Sequence, residues 1–136
     1  ILTKNVSKIL EDGYGQAIEN MQFHRAVEIL QNALTLINQQ IENDAPWKLA
    51  KTDRQKLAEC MYCYFQATDL ISLYLMPFMP EISQRIWQLN GAYGNIYDVA
   101  KQYFIDKRLP KDGFSLKGAS LGKFEILFPR IDSQKK

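Results

Sequence analysis

The chain has 136 residues, 46% of them hydrophobic and 24% charged, a size that suits one core and a composition that excludes intrinsic disorder and a collagen repeat. Its net charge of +2 does not by itself argue for a nucleic-acid partner, but the charge is uneven: residues 1–100 carry eight basic and eleven acidic side chains, residues 101–136 nine and four. The most apolar stretch, Leu73–Pro80, is eight residues long and holds two prolines, far short of the roughly 18 apolar residues a spanning helix needs, so no membrane partner is expected.

A glycine-free run of 75 residues, Gln16 to Asn90, predicts long helices. A first helix is suggested by Val6, Ile9, Leu10, Ala17 and Ile18, weakened by Gly13 and Gly15. Phe23, Ala26, Val27, Leu30, Leu34, Ile37 and Ile41 form a stripe of 3.6-residue period that stops before Ala45-Pro46, which predicts a second helix over about 22–43. Thr52-Asp53-Arg54-Gln55 has the form of a capping box with the threonine as cap, opening a third helix over about 53–76 that buries Leu57, Met61, Tyr64, Phe65, Thr68, Ile71 and Leu75.

Pro80 and Glu81 suit the first turn of a fourth, short helix that carries Ile82, Ile86 and Leu89 and stops at Gly91. Asn95 is a candidate cap for a fifth through about Asp106, presenting Ile96, Val99, Ala100, Tyr103 and Phe104. Beyond Leu109-Pro110 the helical pattern ends, and Phe124–Pro129 returns as an apolar extended segment. The expectation is a single all-α domain over residues 1–136, a bundle of four to five helices with an extended basic C-terminal tail, 109–136, packed back on it. The opening residues Ile1–Asn5 hold neither a methionine nor an apolar leader, and we expect a piece of a longer protein.

The catalytic inventory is poor: one histidine and no Walker-type or GxGxxG loop. His24, beside the stripe of the second helix, is assigned no role. Cys60 and Cys63 have CxxC spacing, but zinc needs a second ligand pair and redox pairs open helices, whereas this pair lies inside one; no metal is expected. Two cysteines are no disulfide framework, which fits a reducing cytoplasm.

One segment resists a purely structural account. Residues 47–56 hold four basic side chains and one acidic beside a tryptophan on a proline-stiffened turn between two long helices. An indole on a rigid turn can stack on an unpaired base while Lys48, Lys51 and Arg54 attract phosphates. Composition and spacing alone favour the plainer alternative, a Trp47 that plugs the gap between helices.

Asn38-Gln39-Gln40-Ile41, Ala45-Pro46-Trp47-Lys48-Leu49-Ala50-Lys51, Leu75-Met76-Pro77-Phe78-Met79-Pro80 and Ile126-Leu127-Phe128-Pro129-Arg130-Ile131-Asp132 resemble, in that order, landmarks of the C-terminal helical domain of the methionyl-tRNA synthetase family. The resemblance covers nearly the whole chain. It implies a domain that binds the CAU anticodon of methionine tRNA, with Trp47 stacked on an anticodon base and Pro46 fixing its backbone. Lys48, Lys51 and Arg54 are then candidate phosphate contacts, and Asn38 a helix-packing or hydrogen-bonding residue.

In that family an Asn-x-x-x-Arg pair on a preceding helix also reads the anticodon, and no such pair occurs here. The catalytic domain, with its ATP and methionine sites, is likewise outside this chain; it is the implied covalent partner, and no catalytic residue or cofactor is assigned within residues 1–136. The alternatives are the matching domain of a valine, isoleucine or leucine synthetase, or a protein-interaction module whose Trp47, Tyr62, Tyr64, Phe65 and Tyr74 anchor a partner helix.

Overall fold

The computed structural model describes residues 2–91, 94–106 and 127, and these form an all-α bundle. Its helices are α1 (Leu2–Glu11), α2 (Tyr14–Glu19), α3 (Phe23–Asp44), α4 (Pro46–Thr52), α5 (Arg54–Leu75), α6 (Pro80–Leu89) and α7 (Ile96–Asp106). Five of them have ten or more residues, as the sequence led us to expect, and α2 and α4 are short connectors. The extended segment 124–129 and the packing of the tail 109–136 lie outside the described residues, Leu127 apart.

The single first helix expected from the sequence is two, because Gly13 takes φ +89° and turns the chain between α1 and α2. That is a left-handed conformation most side chains avoid. Leu2, Val6 and Leu10, spaced by four, bury the inner face of α1. On α3 the buried face runs through Ala26, Ile29, Leu30, Ala33 and Ile37. The expected stripe therefore holds at Ala26, Leu30 and Ile37, whereas Phe23, Val27 and Leu34 are exposed. The face is rotated because α3 is covered by α1, α2 and α5 together, so Ile29 and Ala33 turn inward.

Helix α5 is the axis of the bundle and touches α1, α3, α4, α6 and α7. Its last two turns are surrounded: Asp69, Leu70, Ile71, Ser72, Leu73 and Tyr74 are buried consecutively, with no outward face. The face expected from the sequence describes only part of this, since Leu57, Met61, Phe65, Thr68 and Leu75 are half-buried. The carbonyl of Tyr74 is one of the last four of α5, which have no partner within a helix. It accepts from the Tyr14 hydroxyl at 2.5 Å. The rings of Tyr14 and Tyr74 meet edge-to-face at 4.8 Å, and the Tyr74 and Tyr103 hydroxyls bond at 3.0 Å, tying α2, α5 and α7 together. Burial raises the Tyr14 hydroxyl to about 12.

The helix starts follow sequence chemistry, with one correction. Pro80 opens α6 at its first turn, and Asn95 Oδ1 accepts from Tyr97 N at 2.8 Å at the start of α7. Thr52, however, does not cap α5: its hydroxyl donates to the Lys48 carbonyl at 3.1 Å, and Asp53 is the cap, Oδ1 accepting from Lys56 N at 3.0 Å. A carboxylate is the better anion for a helix N-terminus, and Thr52 is still within α4. Between α3 and α4, Ala45 sits at φ +46° and ψ +63°, donating to the Ile41 carbonyl at 3.0 Å and accepting from Lys48 N at 2.8 Å. One residue thus ends one helix and begins the next.

Behind α5, Asn90 Nδ2 donates to Asp69 Oδ1 at 2.7 Å, while Asp69 Oδ2 and Ser83 Oγ have no partner among the described residues. Burial pushes the Asp69 carboxyl up to about 7, against the opposing pull of the Asn90 amide. An unfolded aspartate titrates near 4, so the folded state holds a proton that the unfolded state releases. The stability contributed is then full below about pH 4, falls as pH rises to about 7, and levels off, an upper bound of about 4 kcal/mol across that window.

Two expected outcomes follow from these features. Asp69→Asn keeps the bond to Asn90 and removes the titration, so its melting temperature relative to the parent rises between pH 5 and pH 8; parallel profiles would show that Asp69 is ionised in the fold. Ala45→Gly relieves a left-handed alanine, worth about 1–2 kcal/mol, against about 0.5–1 kcal/mol of glycine entropy. Thermal unfolding should therefore move up by a few degrees.

Candidate nucleic-acid interface

The turn between α3 and α4 presents its tryptophan to solvent. Pro46 occupies the first position of α4 with φ fixed by its ring, and Trp47 follows at 58% exposure. The plug expected from composition is therefore corrected: no residue of α4 is buried, and the core tryptophan is Trp87 on α6. Leu49 is half-buried, and α4 packs against α5.

The basic residues gather around the indole. Lys48 and Lys51 are exposed and three residues apart on α4, and Lys51 lies four beyond Trp47, so helical geometry puts indole and ammonium groups on one outward side. Arg54, also exposed, opens α5 after the extended Asp53. Trp47, Lys48, Lys51 and Arg54 are thus brought to one end of the bundle. Asn38, expected as a helix-packing or hydrogen-bonding residue, is exposed on α3, and His24 is exposed at that helix's other end.

Beneath the turn lies a polar cluster that the sequence reading did not single out. The Asp44 carboxylate, the last residue of α3, accepts from Gln40 Nε2 at 2.9 Å through Oδ1 and from the Tyr64 hydroxyl at 2.6 Å through Oδ2. Burial alone would raise the Asp44 pKa. Hydrogen bonds from Tyr64, Gln40 and Cys60 and the charge of Lys56 outweigh it and hold the group below the usual carboxylate range. The Tyr64 hydroxyl is raised, first by burial and then by its bond to Asp44. The Cys60 thiol is raised by burial and by the neighbouring Asp44 charge. One signal was present: a carboxylate in the last turn of a helix opposes the helix dipole, so its position calls for another partner.

Other chemistry finds less support among the described residues. No group of three or more His, Cys, Asp or Glu side chains is placed to hold a metal ion, Cys60 and Cys63 are free and half-buried, and no helix is long and apolar enough to cross a membrane. A cleft of about 470 Å³ lies among α1, α2, α5 and α7, lined by Tyr14, Ile18, Tyr74 and Phe104, with Glu11 and Glu19 as its charged lining residues. It is suited to apolar groups, not phosphates, and its Tyr74 is about 30 Å along α5 from Arg54. The alternative of a partner-helix surface loses two of its anchors, because Tyr64 and Tyr74 are buried.

Comparison with known proteins bears on this geometry. Methionine–tRNA ligase of Streptomyces coelicolor is 27% identical across 96% of this chain and 26% of its own length. The ligase of Rickettsia typhi is 30% identical across 90% of this chain and 24% of its own, and that of Pyrococcus horikoshii 28% identical across 96% and 16%. The chain thus spans about a quarter or less of the length of these curated relatives. The family model described as the anticodon-binding domain of tRNA ligase matches residues 7–127, from the middle of α1 past the end of α7. That span takes in the tryptophan turn, the basic residues around it and the described core apart from Leu2 and Val6, and the chain belongs to the family of anticodon-binding domains of tRNA ligases.

Proposed function

We propose that this chain is the anticodon-recognising domain of a methionine–tRNA ligase, and that the Trp47 indole stacks on an unpaired base of the CAU loop of methionine tRNA. Pro46 holds the backbone of that indole, and Lys48, Lys51 and Arg54 contact the phosphates on either side. ATP and methionine act in a catalytic domain of the same ligase, in the cytoplasm, and no step of aminoacylation falls to a side chain of residues 1–136.

The observation that carries this reading is the exposure of Trp47 on a proline-stiffened turn ringed by cations. A large apolar ring left 58% exposed gains little from the fold. It gains from a flat partner, and every nucleobase offers one. The lysines and arginine supply attraction to the backbone without base preference, so they position the loop and the indole engages what the loop displays. The names of the relatives direct the choice toward methionine tRNA, since each of those reported is a methionine–tRNA ligase. The matching domain of a valine, isoleucine or leucine ligase would prefer a different loop, which a comparison of hairpins tests directly.

The decisive measurement is the affinity of the intact ligase for hairpins with the CAU loop or an altered loop. Trp47→Ala should weaken CAU binding by about 1–3 kcal/mol, roughly 5- to 150-fold, and reduce the preference over the altered loop. Its melting temperature should change little, because truncating an exposed ring costs far less than the ~3–5 kcal/mol of a buried one. Unchanged discrimination would end the stacking reading. Replacing Lys48, Lys51 or Arg54 singly with Ala should weaken both hairpins alike, and each should flatten the plot of log affinity against log salt by about 0.7–1. A slope identical to the parent's would remove that residue from the phosphate contacts.

A further inference from the structure

No side chain of α4 is fully buried; Pro46 and Leu49 are half-buried and the helix touches both α3 and α5. The position of Trp47, at the very start of α4, depends most on what fixes the end of α3. There the chain is stiff: Ala45 is locked at φ +46° by hydrogen bonds on both sides and Pro46 has no free φ, so few soft dihedrals separate Asp44 from Trp47. Asp44 is in turn clamped, with Gln40 of its own helix on one carboxylate oxygen and Tyr64 of α5, twenty residues away, on the other.

Local stability does not explain this carboxylate. In the last turn of α3 it faces the negative end of the helix dipole, and a neutral side chain would suit α3 better. The carboxylate does make a short charge-assisted bond to a phenol that is itself buried. We infer that Asp44 and Tyr64 are positioning residues for Trp47: their bond references the α3–α4 turn to the rigid axis of α5 and so sets where the indole stands over the loop. This rests on the stacking role proposed above. Neither residue touches RNA in this account. The bonds from Gln40 and Tyr64 also keep the carboxylate in its ionised form.

The test is a double-mutant cycle in the intact ligase, read as affinity for the CAU and altered hairpins. Tyr64→Phe removes only the donating hydroxyl and keeps the ring. It should lower CAU affinity by about 3- to 10-fold and narrow the preference over the altered loop, with the salt slope unchanged. In a Trp47→Ala background the same substitution should have no further effect, because there is no indole left to place. Asp44→Asn, which keeps the side-chain shape and loses the charge, should behave as Tyr64→Phe does, and it serves as the second variant if melting shows the phenylalanine protein to be loosened.

The two proposals fail separately. If Trp47→Ala binds as the parent does, the stacking reading falls, whatever Tyr64→Phe does. If Trp47→Ala is weakened and Tyr64→Phe is not, the stacking stands and the positioning role is wrong. Equal losses from Tyr64→Phe with and without Trp47, or a flattened salt slope, would also overturn it, since the hydroxyl would then act through stability or phosphate contact.

Discussion

The last two turns of α5 are enclosed on every side, and the rest of the molecule is arranged to make that possible. A helix end buried in this way must find partners for carbonyls that have none within the helix and for polar side chains that no longer reach water. The Tyr14 hydroxyl supplies the first, reaching the Tyr74 carbonyl from a short helix that exists only because Gly13 turns the chain. Asn90, at the end of α6, supplies the second by bonding Asp69. With α1, α3, α6 and α7 gathered against α5, its opposite end is left at the surface, Lys51 to Lys56 all exposed. The fold is polarised along one helix, core at one end and presentation at the other.

The two tryptophans show how that polarity sorts identical residues. Both follow a proline at the first position of a helix, Trp47 by one residue and Trp87 by seven. Trp87 falls four residues after Ser83, on the face that α6 turns toward α5, and is buried. Trp47 sits on a helix of two turns at the open end of α5, where no second layer of described residues covers it. The residue type is the same; position on the helix and along the axis decides whether the ring packs or is displayed.

Much of this was legible in the sequence because it depends on neighbours in the chain. The extents of α3, α5, α6 and α7 followed from periodicity, from Pro46 and Pro80, and from Asn95. The Pro-Trp turn and its cations were visible for the same reason. The rotation of the α3 face was not, since it depends on which helices cover α3, and the break at Gly13 was masked by apolar residues on both sides that keep helical spacing. The clamp on Asp44 was hidden for a different reason. It joins residues twenty apart, and in sequence Tyr64 reads as an apolar position of the third helix or an aromatic anchor for a partner, with nothing to pair it with Asp44. Polar pairs of this kind carry no periodic signature, and so the parts of the site that touch RNA in our proposal were easier to name than the parts that hold them in place.

That no side chain of α4 is fully buried has a consequence for motion. Opening a segment costs free energy in proportion to the contacts it breaks, and α4 breaks few beyond its own short ladder, the Asp53 and Ala45 junctions and its contact with α5. Its amide hydrogens should therefore exchange through local fluctuations far faster than those of Asp69–Tyr74, which are released only when the domain unfolds as a whole. A partner seated on the turn would slow that exchange and would have to offset the ordering entropy it removes. Under the stacking proposed above, part of the intrinsic affinity of the indole would be spent on quieting its own helix, and a sequence that stiffened α4 in the same geometry would bind more tightly without a single new contact.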